Sequence, residues 1–79
     1  MSKAPEFIPL SDIAARAVGG AAGRHAALIE DAFDVLIETP GGGVSINGDS
    51  KGRATARRVV EQIAERADAG LEITEADLR

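Results

Sequence analysis

The ten residues Val18-Gly19-Gly20-Ala21-Ala22-Gly23-Arg24-His25-Ala26-Ala27 lie between two apolar segments and contain a Gly-x-x-Gly motif, Gly20 to Gly23. Glycine adopts positive φ without steric cost and lets another part of the chain approach closely. If a helix begins after Gly23, its free N–H groups point out of this glycine loop (Gly20–Gly23) and attract anions. The stretch therefore predicts a phosphate-facing loop between two helices. The alternative is a tight helix–helix corner that binds no ligand.

The motif by itself is weak evidence, because nine glycines in 79 residues produce about one glycine pair of this spacing by chance. Its neighbours add information. Arg24 would stand in the first turn of the second helix, where a cation opposes the helix dipole by roughly 0.3–1 kcal/mol. That penalty is easier to understand if a phosphate binds there, held by backbone N–H groups and by a bidentate contact from Arg24.

The residues before and after the loop predict a strand and two helices. Residues 4–10 favour an extended segment, and Pro9 places it at a sheet edge because proline lacks a backbone donor. Ser11 is a good N-cap for a first helix that ends at Gly19 and Gly20. Its apolar stripe consists of Ile13, Ala14, Ala17 and Val18. A second helix is predicted from Arg24 to Phe33.

The second half of the chain predicts a hairpin followed by the longest helix. Two β-rich runs, residues 35–39 and 44–47, flank a Pro-Gly-Gly-Gly turn at residues 40–43. The helix is predicted from Gly52 to Ala69 and ends at Gly70. Its core stripe consists of Ala56, Val59, Val60, Ile63, Ala64 and Ala67.

Composition narrows the possible functions. The chain is 44% hydrophobic, enough for one compact core, and contains no cysteine and one histidine, which excludes disulfides and thiolate metal sites. A metal site or histidine-based catalysis at His25 would need partners that the chain lacks. We therefore expect no enzyme and no cofactor in this segment. The absence of cysteine and of a long apolar run predicts a cytoplasmic protein without membrane contact.

The net charge of −4 is unevenly distributed. Residues 1–60 carry as many cations as anions, and residues 61–79 hold the excess of acids. Residues 1–60 are therefore neutral overall, which is compatible with nucleic-acid binding but does not indicate it. The two aromatic residues, Phe7 and Phe33, provide no platform on which bases could stack.

Charged side chains outside the loop are expected on the surface. The last helix carries a basic patch: Arg53, Arg57 and Arg58. Ion pairs such as Arg57 with Glu61 are the simplest interpretation of this patch, and a second contact with RNA or a partner domain is the other. Glu30 and Asp31 are expected on a solvated face.

The end of the sequence predicts a further element. Thr74-Glu75-Ala76-Asp77 resembles a capping box, which announces a helix. We expect residues 1–70 to form one domain and residues 71–79 to be an acidic tail or the start of a helix that leads to a following domain. A short frayed tail is the alternative.

The order strand, helix, Gly-x-x-Gly, helix, strand, strand, helix resembles that of a KH domain of the βααββα type, over roughly residues 7–67. This resemblance implies an α+β fold in which three helices pack on one face of a three-stranded antiparallel sheet. Four segments resemble more narrowly the N-terminal domain of PhoH-like proteins, which join a KH-like module to a P-loop ATPase domain: GRHAALIE, GGGVSINGD, ARRVVEQIAERADAG and LEITEADLR. The Gly-x-x-x-x-Gly-Lys-Ser/Thr motif of that ATPase domain does not occur in the sequence.

The KH resemblance also implies a site and a partner. In the family, the loop binds the backbone of a short single-stranded RNA while the bases lie in an apolar groove beside it. The residues to which this role carries over are Gly20, Ala21, Ala22, Gly23, Arg24 and His25 in the loop, Ile29, Val35 and Ile37 on the groove floor, and Arg16 on its rim. For the three aliphatic residues, a place in the hydrophobic core is the simpler interpretation.

One departure from the family pattern concerns the middle of the loop. Many active KH loops have a basic or polar residue there, whereas this chain has Ala21 and Ala22. We therefore expect RNA binding to be weak and salt-sensitive. The alternative is a degenerate KH fold that contacts a protein partner or the following ATPase domain instead of RNA.

Overall fold

The computed structural model describes residues 5–71 and residue 73, and its elements follow the predicted order. They are β1 (Glu6–Pro9), α1 (Asp12–Gly19), one 3-10 turn (Ala21–Gly23), α2 (Arg24–Phe33), β2 (Leu36–Glu38), β3 (Gly43–Asn47) and α3 (Ser50–Asp68). The helix predicted to start at Thr74 lies outside the described residues. No helix in the described part of the chain is long and apolar enough to cross a membrane.

The three strands form an antiparallel sheet in the order β1-β3-β2. β1 is an edge strand, as Pro9 predicts. Ile8 pairs with Val44 and Ile37 pairs with Ile46, so these four buried side chains lie on one face of the sheet. The same hydrophobic core contains residues from all three helices, among them Val18, Ile29 and Val60. The predicted α+β fold of the KH-like βααββα type is therefore confirmed.

α1 is held at its first turn by the predicted N-cap. The Ser11 hydroxyl accepts a hydrogen bond from the backbone N–H of Ala14 at 3.1 Å and donates one to Asp68 Oδ1 at 2.8 Å. Because Asp68 is the last residue of α3, this hydroxyl joins the start of α1 to the end of the longest helix. These hydrogen bonds therefore fix the N-terminal end of α1, the helix that leads into the glycine loop.

The apolar stripe predicted for α1 is wrong at one position. Ala14 and Val18 are fully buried, whereas 65% of the Ile13 surface is exposed. Residues four apart share one face of a helix, and the buried face of α1 is the one that contains Ala14 and Val18. Ile13 stands about 100° around the helix from Ala14. The large aliphatic side chain of Ile13 is therefore exposed on the surface.

Glu30 was expected on a solvated face, and the structure assigns it a structural contact instead. Its carboxylate oxygen Oε2 accepts a hydrogen bond from the backbone N–H of Ile37 at 2.8 Å. Ile37 lies in the middle of the edge strand β2. Exposed backbone groups of edge strands invite pairing with other chains, so Glu30 both attaches α2 to β2 and occupies a donor on that edge.

Candidate nucleic-acid interface

The glycine loop reverses the chain between α1 and α2 through three residues with positive φ. These are Gly20 (φ 73°), Ala22 (φ 54°) and Gly23 (φ 76°). The backbone N–H of Gly20 donates to the carbonyl of Arg16 at 2.8 Å, and that of Gly23 donates to the carbonyl of Gly20 at 3.2 Å. The positive φ angles allow the chain to reverse here, and the two backbone hydrogen bonds stabilise the turn.

α2 begins at Arg24, as the sequence predicts, and a tight turn with left-handed dihedral angles at Ala22 and Gly23 precedes it. The 3-10 turn at Ala21–Gly23 runs directly into α2, and the backbone N–H of Arg24 donates to the carbonyl of Ala21. The amides of Gly23 and Arg24 are consequently used within the turn. The amides of Ala21 and Ala22 donate no hydrogen bond within this turn. Both residues are exposed, and their methyl groups leave the backbone accessible to an anion.

His25 lies against the end of α1. Its ring is partly buried, and Nδ1 lies 3.0 Å from the carbonyl oxygen of Ala17. The ring also lies close to Gly20, where an added Cβ would stand 2.5 Å from His25 Cγ. The structure thus brings His25 to the loop, as predicted, but directs Nδ1 to α1 rather than to a ligand.

An open groove of about 690 Å³ lies beside the glycine loop. Its walls come from α1, including the exposed side chains of Ile13 and Arg16, from the loop residues Gly20, Ala21 and Gly23, and from Thr39 after β2. An apolar side chain and a cation therefore face the same space as the loop backbone. This combination suits a ligand that carries both phosphates and flat apolar groups.

Three residues predicted on the groove floor lie in the core instead. Ile29, Val35 and Ile37 are 2%, 8% and 9% exposed, and all three belong to the main hydrophobic cluster. Val35 and Ile37 alternate with the exposed Leu36, so the strand directs them toward the helices. The structure does not bring these three side chains to the groove surface. Ile13 and Thr39, neither of which was predicted in the groove, lie there in their place.

The predicted cations lie on two sides of the loop. Arg16, which is predicted on the rim of the RNA-binding groove, lines this groove. Arg24 lines a separate shallow depression of about 220 Å³ together with Leu28 and Asp31 on α2. Arg16 therefore faces the groove, whereas Arg24 faces a different surface.

The basic patch on α3 includes the predicted ion pair. Arg57 Nε donates to Glu61 Oε2 at 3.0 Å, and Arg57 Nη1 donates to Glu6 of β1. These hydrogen bonds, the one to Glu61 first, raise the pKa of Arg57 above its ordinary value. Both partners are solvent-exposed, so the pairs contribute little to stability. The charge of Arg57 is nonetheless balanced within the fold, which favours the ion-pair interpretation of this residue over an RNA contact.

Metal binding finds no support in the described residues. No three His, Asp or Glu side chains within residues 5–71 and 73 come together in a way that could hold a metal ion.

Comparison of the sequence with protein-family models and with curated proteins gives no significant match. Among solved structures, the chain is similar to a chain in the crystal structure of the a/eIF2alpha-aDim2p-rRNA complex from Pyrococcus horikoshii OT3. The TM-score is 0.70 at 26% sequence identity, and the similarity covers 77% of this chain. It spans 37% of the matched chain, so it concerns one part of a longer protein. The fold and this similarity together define a KH-like module.

Proposed function

We propose that this chain is a KH-like module that binds single-stranded RNA. The observation that carries the proposal is the juxtaposition of exposed amides at Ala21 and Ala22 with a groove that presents Ile13 and Arg16. Phosphate oxygens accept hydrogen bonds from successive backbone N–H groups that are exposed in a turn. The solved structure to which the chain is similar is a complex that contains rRNA, which supports RNA as the ligand.

In the proposed binding mode, the loop holds the backbone of the RNA and the groove receives a base. The amides of Ala21 and Ala22 donate to one phosphate, and Arg16 neutralises charge beside it. One face of a base packs on the Ile13 side chain. Neither aromatic stacking nor a strongly basic surface adds to this contact, so we expect modest affinity that falls steeply with salt. The module itself performs no reaction and needs no cofactor in this proposal.

Titration of the ¹⁵N-labelled protein with a short single-stranded RNA at low salt tests the proposal. We expect the amide signals of Gly20–His25 and of Ile13 to shift, and the shifts to decrease as salt is added. The amide of Val60, in the buried face of α3, serves as the internal reference and is expected to stay in place. If a millimolar oligonucleotide leaves the loop amides unchanged, RNA binding at this site is wrong, and the protein-contact alternative takes its place.

The role of Ile13 can be measured separately from that of the loop. We expect Ile13→Ser to weaken RNA binding about fivefold, because partial burial of one aliphatic side chain contributes ~1 kcal/mol. The melting temperature should change little, since Ile13 is 65% exposed. Fluorescence anisotropy with a labelled oligonucleotide measures the affinity.

Leu36→Ser is the matched control for Ile13→Ser. Leu36 is 53% exposed and does not line the groove. Its replacement should leave the affinity for RNA unchanged. Equal losses in the two variants would show that the groove beside α1 is not where the base binds.

The narrower resemblance to PhoH-like proteins extends the proposal to a larger protein. In that setting the module would present RNA to a P-loop ATPase domain of the same cytoplasmic protein. The segments that carry this resemblance include the start of α2, the β2–β3 hairpin and most of α3. ATP hydrolysis by such a protein should then rise with RNA, and variants of the glycine loop should lose the increase.

A further inference from the structure

We propose that His25 is a positioning residue that holds the glycine loop in the conformation required for phosphate binding. The effect of His25 on RNA binding rests on the proposed function, whereas its effect on the conformation of the loop can be tested in the free protein alone. The motif itself contains no polar side chain, since its middle residues are Ala21 and Ala22. The side chain that fixes its shape must therefore come from outside it.

The first step is the hydrogen bond between His25 and α1. A carbonyl oxygen can only accept, so the 3.0 Å contact with Ala17 requires the hydrogen of the imidazole to lie on Nδ1. Ala17 belongs to the last turn of α1, where carbonyl groups lack partners within the helix. The neighbouring carbonyl of Arg16 receives the backbone N–H of Gly20. His25 thus completes the C-terminal capping of α1 from the other side of the loop.

The second step is the contact between the ring and Gly20. A Cβ at Gly20 would stand 2.5 Å from Cγ and 2.7 Å from Nδ1 of His25, closer than atoms can approach. The ring therefore occupies the space that a side chain at position 20 would need. Gly20 is required for this contact as well as for its φ of 73°.

The third step links these contacts to the exposed part of the loop. Ala22 has φ 54°, a conformation that is unfavourable for an L-residue other than Asn or Asp. Ala21, Ala22 and Gly23 are all exposed, so packing does not hold them in place. Their conformation is instead fixed at both ends, by Gly20 under the His25 ring and by the start of α2. Without His25 we expect the loop to sample other conformations, and RNA would then bind only the fraction that is competent.

Three variants separate the effect of the Nδ1–H donor from the effect of the rest of the His25 ring. His25→Ala removes both, His25→Asn retains an N–H group at the position of Nδ1, and His25→Gln places its amide closer to the position of Nε2. In the free protein we expect the wild-type imidazole to be the Nδ1–H tautomer in its ¹⁵N spectrum. Backbone ¹⁵N relaxation should show ordered amides at Ala21–Gly23 in the wild type and His25→Asn, and increased motion in His25→Ala and His25→Gln.

The affinity for RNA is expected to follow the order of the loop. His25→Ala should weaken binding about five- to tenfold, which corresponds to a competent fraction of about 10–20%. His25→Asn should recover most of the loss, and His25→Gln should not. This pattern distinguishes positioning from a general loss of stability, because the melting temperatures of the Asn and Gln variants should be similar.

Three results would overturn the positioning role. One is a neutral wild-type imidazole with its hydrogen on Nε2. Another is a His25→Ala loop as ordered as the wild-type loop. The third is loss of RNA binding in His25→Ala while the loop stays ordered, which would make His25 a direct RNA contact. If His25→Ala does not fold, the comparison of Asn with Gln decides. If the wild-type protein does not bind RNA, the proposed function fails, and the tautomer and relaxation data still test the role of His25.

Discussion

Gly43→Ala is expected to destabilise the domain by about 3 kcal/mol or more, at the upper end of the range for overpacking in a core. Gly43 is buried and pairs with Pro9 where β1 meets the central strand. A Cβ at this position would overlap the carbonyl oxygen of Ile8 and would stand 2.9 Å from Cα of Pro9. Both contacts are to backbone, so neither can be relieved by rotating a side chain. The strand β1 would have to move away from β3.

The size of the effect follows from the small stability of a domain of this length. A chain of 79 residues is expected to have a free energy of unfolding of about 4–12 kcal/mol. A loss of about 3 kcal/mol lowers the melting temperature of such a domain by ~12–24 °C. Thermal unfolding followed by circular dichroism measures it. Amide exchange at Val44, which pairs with Ile8 in β1, should accelerate as well.

Gly19→Ala is the matched control for Gly43→Ala. Gly19 ends α1, and a Cβ there would meet no other atom within 4 Å. Its replacement should leave the stability unchanged or raise it by about 0.5 kcal/mol, because alanine has less conformational freedom in the unfolded chain. A Gly43→Ala protein that melts within a few degrees of Gly19→Ala would mean that β1 and β3 are not packed as closely as the structure shows.

Local signals predicted the fold well because each depends on neighbouring residues. The N-cap at Ser11, the edge position of Pro9 and the core stripe of α3 all follow from hydrogen-bonding capacity or from helical periodicity. The structure confirms each of them. It also confirms the Arg57–Glu61 pair, whose spacing of four residues places the two side chains on one face of a helix.

The site was less predictable, because it depends on contacts between elements. Whether Ile29 lies in the core or in the groove depends on how α2 packs on the sheet, and no local pattern contains that information. The bond between His25 and Ala17 spans eight residues and needs the positive φ at Gly20 and Ala22. A sequence shows that Gly20 can adopt such a φ, but an alanine at position 22 gives no such indication. The sequence contained one indication that Ile13 would be exposed. Ala14 and Val18 stand four residues apart and already form an apolar face on a helix of two turns.

The double variant Ala21→Asp with Ala22→Asp is expected to weaken RNA binding about 100-fold while the fold remains intact. Each carboxylate would stand within about 5 Å of the bound phosphate. Repulsion between like charges at that distance is roughly 1–3 kcal/mol at a protein surface. Two such repulsions account for a loss of this size.

The same substitutions should not destabilise the free protein. Both positions are exposed, and Ala22 has φ 54°, which aspartate tolerates better than alanine does. Both acids would directly precede α2, whose N-terminal end attracts negative charge. The variant should therefore melt at the wild-type temperature or slightly above it. A loss of binding together with unchanged or increased stability is a pattern that unfolding cannot produce.

The double variant Ala21→Asn with Ala22→Asn separates the effect of negative charge on RNA binding from the effect of side-chain bulk. Asparagine has nearly the same shape as aspartate and the same tolerance of positive φ, but it does not repel phosphate. Its RNA affinity, measured by anisotropy at one fixed low salt concentration, should stay within about twofold of the wild type, since neutral replacements at exposed positions have small effects. If the Asn and Asp variants lose binding equally, bulk at the loop rather than charge is responsible, and the proposed contact between a phosphate and the amides of Ala21 and Ala22 is wrong. If neither variant loses binding, the RNA does not contact the glycine loop. Only the charge-dependent loss agrees with a phosphate held at these two amides, because an anion bound there must respond to the sign of its nearest neighbours.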